Sequence, residues 1–167
     1  RGDKLAAETL LKLRDEGTDT LAVVAQACHD AGITCYASMR MNGDYSATSW
    51  DGDLAKMFNS DFWRDHPEFH QHSTAKKPLT RLSYAFPEVR EFKLGLIREA
   101  VERDVDGINF DFQRHPTFFD HEAPMLKAFQ EKYGENPLKV RMDDPRWNPI
   151  KAEFMTTFVR EARTILD

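Results

Sequence analysis

Apolar residues recur at helical spacing through most of this chain, and glycine, proline or a short alternating run marks each break. Leu5, Ala6, Leu10 and Leu13 make the first run, which Gly17 ends. Asp19 is placed to cap a second helix with Leu21, Val24, Ala27, Cys28 and Ala31 on one side, stopped by Gly32. Pro87 opens another, whose inward set is Val89, Phe92, Leu96, Ala100 and Val101. Its charged residues Arg90, Glu91, Arg98, Glu99, Glu102 and Arg103 read as a solvated outer face. Asp120 is a cap for the next, with Met125, Leu126, Phe129 and Tyr133 as the buried stripe and Gly134 as the stop. The last helix opens at Asn148-Pro149 and turns Ile150, Phe154, Phe158, Ala162 and Ile165 inward.

Two segments alternate instead. In Ile33 to Met41, Ile33, Cys35, Ala37 and Met39 form one face, while Tyr36, Ser38, Arg40 and Asn42 form the other. In Val105 to Phe112, Ile108, Phe110 and Phe112 oppose Asn109 and Asp111. A helix, a glycine and then a strand is the αβ half of a βαβ unit, which argues for an α/β protein with a parallel sheet. Leu82-Ser83-Tyr84 is a third, shorter strand signal, after a polar turn over Ser73 to Arg81. The apolar face of the Asp111 strand suits packing under helices. Its polar face then looks into an enclosed side, where a bare carboxylate is costly unless paired or used.

Between Asn42 and Gln71 lies an excursion too long for an idle connection, with a short helix placed after Asp53. Its Tyr45, Trp50, Phe62 and Trp63 could stack on sugar rings or form the loop's own small core; Trp50, flanked by polar residues and glycine, is the best placed for exposure.

Composition narrows the classes. The chain has 167 residues, 41% hydrophobic and 31% charged, enough for one ordinary globular domain. A net charge of −5 gives no electrostatic reason to expect nucleic acid or an anionic membrane as partner. No apolar run reaches the ~20 residues of a membrane span. Cys28 and Cys35 are too few for a disulfide framework and read as buried small apolar groups.

Three motifs in order carry a resemblance. Val105-Asp106-Gly107-Ile108-x-Phe110-Asp111 resembles the Val-Asp-Gly-Ile-His-Phe-Asp-Asp segment of the family-ten-like glycosyl hydrolases, a TIM-barrel group. Gly32 to Asn42 is similar to that family's Gly-Ile-x-Val-x-Ala-x-x-x-x-Asn strand, and Ser83 to Arg90 to its Asn-Pro-x-x-Pro-Glu-Val-Arg helix entry. Gly107, Asp111 and His115 also match the spacing of the nucleophile strand of the α-amylase superfamily. Phe112 stands where the family has its second Asp, and Asn109 where the amylase-type strand has Arg.

The resemblance implies a partial (β/α)8 TIM barrel, with two or three strands and about six helices in this chain, the strong strands being the third and fourth. Residues 1–167 would be an internal piece of one such domain, pairing its raw sheet edges with further chain or with another copy. Self-association would then bury apolar surface around Phe154 and Phe158. The implied activity is hydrolysis of a poly- or oligosaccharide by a carboxylate pair, without cofactor, and the implied compartment is secreted or periplasmic.

Asp111 is the expected catalytic carboxylate, nucleophile or ion-pair partner. Arg114 and His115 would hold it ionised and bind sugar hydroxyls, and Asn109 would orient it. Arg40, Asn42, Trp50 and Tyr84 complete the substrate-binding set. The partner acid is expected on the strand after Asp111; Asp44, Asp51, Asp120 and Glu122 are loop carboxylates that read more simply as caps or surface charges. Three alternatives stay open: Asp111 as a structural cap of its own turn, a non-catalytic saccharide-binding or assembly module, and a metal hydrolase using His66, His70 and His72 with Asp111 and His115.

Overall fold

The computed structural model describes residues 2–44, 59–73, 78–113 and 118–167. Among these the fold is mixed α/β. Its helices are α1 (Gly2–Asp15), α2 (Thr20–Asp30), α3 (Asp61–Asp65), α4 (Pro87–Val101), α5 (Ala123–Tyr133) and α6 (Trp147–Leu166). The strands are β1 (Tyr36–Arg40), β2 (His70–His72), β3 (Pro78–Leu82) and β4 (Gly107–Asp111).

β1 and β4 pair in parallel, in the register Tyr36 with Gly107 through Arg40 with Asp111. Alternation sorts their side chains as the sequence implies. Ile108, Phe110 and Met39 pack on the main core, whereas Asn109, Ser38 and Tyr36 lie exposed on the opposite face. Ile33 is the exception: the strand starts only at Tyr36, and Ile33 is 59% exposed in the turn before it.

The core is helical. α4 and α5 both pack on α6, burying Leu94, Ile97, Met125, Phe129, Trp147, Ile150, Phe158 and Ala162 with Tyr84. The stripes read for α5 and α6 are therefore correct in substance. α5 begins at Ala123 instead of after Asp120, with Pro124 in its first turn, and ends on Gly134 in the left-handed conformation (φ 69°). α6 begins at Trp147. Phe158 is fully buried and offers no self-association surface, while Phe154 is half-buried with its ring tilted against Phe119 at 6.0 Å. Large exposed apolar side chains include Leu5, Leu10 and Leu11 of α1, Val23 and Val24 of α2, and Val159 and Leu166 of α6.

Two helical faces are rotated from the expected ones. In α2 the buried residue is Ala25, and Val24 is largely exposed. In α4 the buried set is Val89, Arg90, Lys93, Leu94 and Ile97, while Leu96 and Val101 face outward. Arg90 is thus not on a solvated face. Its aliphatic stem runs along the core and its guanidinium meets Glu161 of α6 (2.9 and 3.3 Å) and the Tyr84 carbonyl (3.2 Å). A long cationic side chain can bury its stem and keep a partner for its head.

The region expected as a polar turn forms an antiparallel hairpin, with His70 paired to Leu82 and His72 to Pro78. Ser83 and Tyr84 follow it as a turn, not as a strand. Trp63 donates its indole N–H to the Thr80 carbonyl (2.5 Å) and stacks on His70. Phe62 stacks flat on Phe92 of α4 at 4.5 Å. These two aromatics make local packing. Tyr45 and Trp50, the other two of that excursion, lie outside the described residues.

At the amino end of the parallel pair, part of the Val-Asp-Gly-Ile motif has a structural explanation. Asp106 accepts from the Cys35 amide (2.6 Å) and pairs with His29 of α2 (3.1 Å), stitching β1, β4 and α2 together. Gly107 lies under the Tyr36 ring, where an added Cβ would stand 2.4 Å from a ring carbon. Only a residue without a side chain lets that ring lie there.

Candidate functional site

The carboxyl end of the parallel pair gathers most of the described candidates. Arg40 and Asp111 are the last residues of β1 and β4 and sit level in register. Both point to the face opposite the core. Arg40 Nε lies 4.0 Å from Asp111 Oδ2, and the two side chains are 45% and 27% exposed. The cation therefore faces the carboxylate while both stay reachable from solvent, a geometry in which charge attraction survives but is screened. Asp111 Oδ1 also accepts from the Gln113 amide (2.9 Å), which turns the chain sharply after the strand.

One step down the same face, Asn109 donates to the Ser38 hydroxyl (3.1 Å), a cross-strand pair that fixes the floor below Asp111. Ser38 was not singled out from the sequence; the alternation of β1 already put it beside Arg40.

The backbone behind this face is anchored through Met41. Its amide donates to the Asp111 carbonyl (3.1 Å), and its own carbonyl accepts from the Tyr84 hydroxyl (2.6 Å). Tyr84 is 1% exposed, and burial pushes its phenol well above the usual range. As a fully enclosed side chain committed to Met41, it supports the strand end and does not line it. Asn42 is likewise buried (1% exposed), beneath the mouth instead of at its edge. Trp50, Arg114 and His115 lie outside the described residues.

The loop carboxylates divide. Asp44 accepts from the Leu82 amide (3.1 Å), tying the end of β1 to the hairpin. Asp120 pairs with His121 Nδ1. Glu122 stands at the N-cap position of α5 but its side chain makes no capping hydrogen bond, and it is no surface charge: it is 0% exposed. Its Oε2 accepts from the Asp120 amide (2.7 Å), while Oε1 is buried with no hydrogen-bond partner. Burial raises its pKa from 4.5 to about 7, against the pull of the nearby Ser83 hydroxyl and the Asp120 amide. The Pro124 signal, read as first-turn proline, would have moved the helix start past Asp120 and put Glu122 at the junction.

Of the histidines proposed as ligands, His70 is buried and hydrogen-bonded to the Trp63 carbonyl (2.9 Å), and His66 meets Glu68 (2.9 Å). Among the described residues, no group of three or more His, Cys, Asp or Glu side chains is placed to hold a metal ion. Nor is any of their helices long and apolar enough to cross a membrane.

The parallel pair thus carries a carboxylate and a guanidinium side by side at its carboxyl end, with the core packed on its other face. The family model of the glycosyl hydrolase-like 10 proteins matches residues 2–167, and the chain belongs to that family. No curated protein matches it.

Proposed function

We propose that this chain contributes the third and fourth strands of a TIM-barrel glycoside hydrolase acting on a poly- or oligosaccharide. Asp111 serves as its nucleophile or ion-pair carboxylate. The observation that carries the reading is the Arg40–Asp111 pair, side by side at the carboxyl end of parallel strands on the face opposite the core, both side chains partly exposed. Arg40 stabilises the charge of Asp111, and Asn109 fixes the floor on which it stands. Arg114 and His115, next in sequence after Gln113, bind sugar hydroxyls. The partner acid comes from the strand that follows β4 in the complete barrel. Membership of a glycosyl hydrolase-like family supports the reaction class.

The test is Asp111→Asn in the complete protein, assayed on a polysaccharide panel. The amide keeps shape and hydrogen-bonding reach but cannot stabilise an oxocarbenium-like transition state. The loss should be on the order of 4 kcal/mol, about a thousandfold in kcat. KM should change far less, because the lost interaction belongs to the transition state. The Gln113 contact supports a rival role for Asp111 as a turn cap. Retention of more than about a tenth of kcat would favour the cap and end the catalytic reading.

A further inference from the structure

Glu122 holds a position that the proposed chemistry does not use. The segment 118–122 delivers the chain into α5. It is fastened at three points. The Asp120 amide goes to Glu122 Oε2 (2.7 Å), the His121 amide goes to the His72 carbonyl of the hairpin (2.9 Å), and the Glu122 carboxyl lies enclosed beside Ser83. Ser83 itself is fully buried and accepts from the Ala85 amide (3.2 Å), so the wall against which Glu122 rests is rigid. That Ser83 turn continues into Tyr84, whose hydroxyl supports Met41 and, through it, the Asp111 backbone.

We infer that Glu122 is a positioning residue: its enclosed carboxyl, when protonated, pins segment 118–122 to the Ser83 turn and the hairpin, and it loses that hold on ionisation. Only what is being positioned rests on the reading of Asp111 as the working carboxylate; the latch itself stands on the contacts just described.

Ionisation would leave a negative charge for which none of Glu122's contacts among the described residues supplies a cation. On its own segment Glu122 meets Asp120, an anion that opposes its charge, and Asp120 is already engaged with His121. The Ser83 turn offers a hydroxyl only. On α4 the guanidinium of Arg90 is committed to Glu161 and to the Tyr84 carbonyl. On the hairpin, His72 meets the segment through its carbonyl, and His70 is bonded to Trp63. The orphaned Oε1 is the structural mark of the same deficit. A buried carboxyl with one unsatisfied oxygen costs least when neutral.

The sign follows. A carboxyl whose folded value is raised from 4.5 to about 7 holds fully below 4.5, loses hold as pH rises to about 7, and changes no further above it. At a factor of ten per unit, the local opening equilibrium should grow by up to about 300-fold across that window.

The experiment is amide hydrogen exchange of this chain between pH 4.5 and 8.5, with rates corrected for base-catalysed intrinsic exchange. The readouts are the Asp120 and His121 amides, with core amides of α6 as internal reference. In the wild type their protection should fall at least tenfold between pH 4.5 and 7 and then level off. In Glu122→Gln it should be flat. A flat wild-type profile, or the same fall in Glu122→Gln, overturns the inference. If Glu122→Gln does not fold, Ser83→Ala decides: without the hydroxyl that favours the charged form, the upper end of the window should move to higher pH. An unmoved window would sink the latch. Hydrogen exchange does not depend on turnover, so failure of the latch and failure of Asp111 as catalyst are read separately.

Discussion

The Arg90–Glu161 pair makes an asymmetric prediction. Arg90 is 11% exposed at its side chain and Glu161 36%, so the two ends of one ion pair stand in different solvent. Glu161→Ala removes the exposed partner and leaves the guanidinium enclosed, with only the Tyr84 and Ala85 carbonyls as acceptors. An uncompensated buried charge costs on the order of 3 kcal/mol. Arg90→Met keeps most of the apolar stem and removes the charge; Glu161 then turns to water, and the main loss is the donor to Tyr84. That costs about 1–2 kcal/mol. At about 2–4 °C per kcal/mol for a chain of this size, Tm should fall by about 6–12 °C for Glu161→Ala and about 2–8 °C for Arg90→Met. Urea unfolding followed by circular dichroism gives both free energies, with unchanged m-values as a check on two-state behaviour. The reasoning fails if Arg90→Met costs as much as Glu161→Ala. It fails equally if both fall under about 0.5 kcal/mol, the size of an exposed pair.

Gly107→Ala should destabilise by displacing the Tyr36 ring, which the new Cβ would meet at 2.4 Å. Because that ring is largely exposed and can swing away, the cost should be about 1 kcal/mol and should shrink markedly in a Tyr36→Ala background. A double-mutant cycle showing no coupling would refute the contact. Asp106 has its carboxyl held below the usual carboxylate range, first by the Cys35 amide and then by His29. Its contribution is therefore present above its ordinary value of 3.8 and lost as pH falls through the depressed one. Asp106→Asn should be less stable than wild type at neutral pH, with the two thermal melting curves converging in acid; a gap that persists there would contradict the linkage.

The parts of the fold that alternation and helical spacing govern were legible in advance. Ile108 and Phe110 against Asn109, or Ala37 and Met39 against Ser38 and Arg40, follow from a period of two, which the backbone enforces. Gly134 and Pro87 mark helix ends because their backbone chemistry allows little else. What failed were positions where a polar label hid a buried role. Arg90 and Lys93 count as surface residues in any pattern of charge, yet their stems complete the α4 face. The hairpin was missed because His70–His72 and Pro78–Leu82 are short, and only neighbours such as Trp63 make them a sheet. Tyr84 was assigned to substrate because an aromatic near a strand end suggests a lining residue; its hydroxyl is spent on Met41. Glu122 could not be weighed from sequence, since its burial depends on segments distant along the chain. Within the candidate site, Arg40 beside Asp111 was implied by the strand faces, but their level register was not.

That register has a kinetic meaning. The Asn109–Ser38 contact joins residues 71 apart in sequence. Closing a loop of that length costs roughly 4 kcal/mol in chain entropy beyond a constant term, before any contact repays it. Helices α5 and α6 meet over far shorter stretches, whereas the Arg90–Glu161 contact of α4 with α6 also joins residues 71 apart. Folding should therefore build the α5–α6 pair first and dock β1 against β4 late, so that Arg40 and Asp111 come face to face only near the end. The same order run backwards makes β1 the first strand to detach, and a chain caught in that state would present the bare edge of β4 to any neighbour.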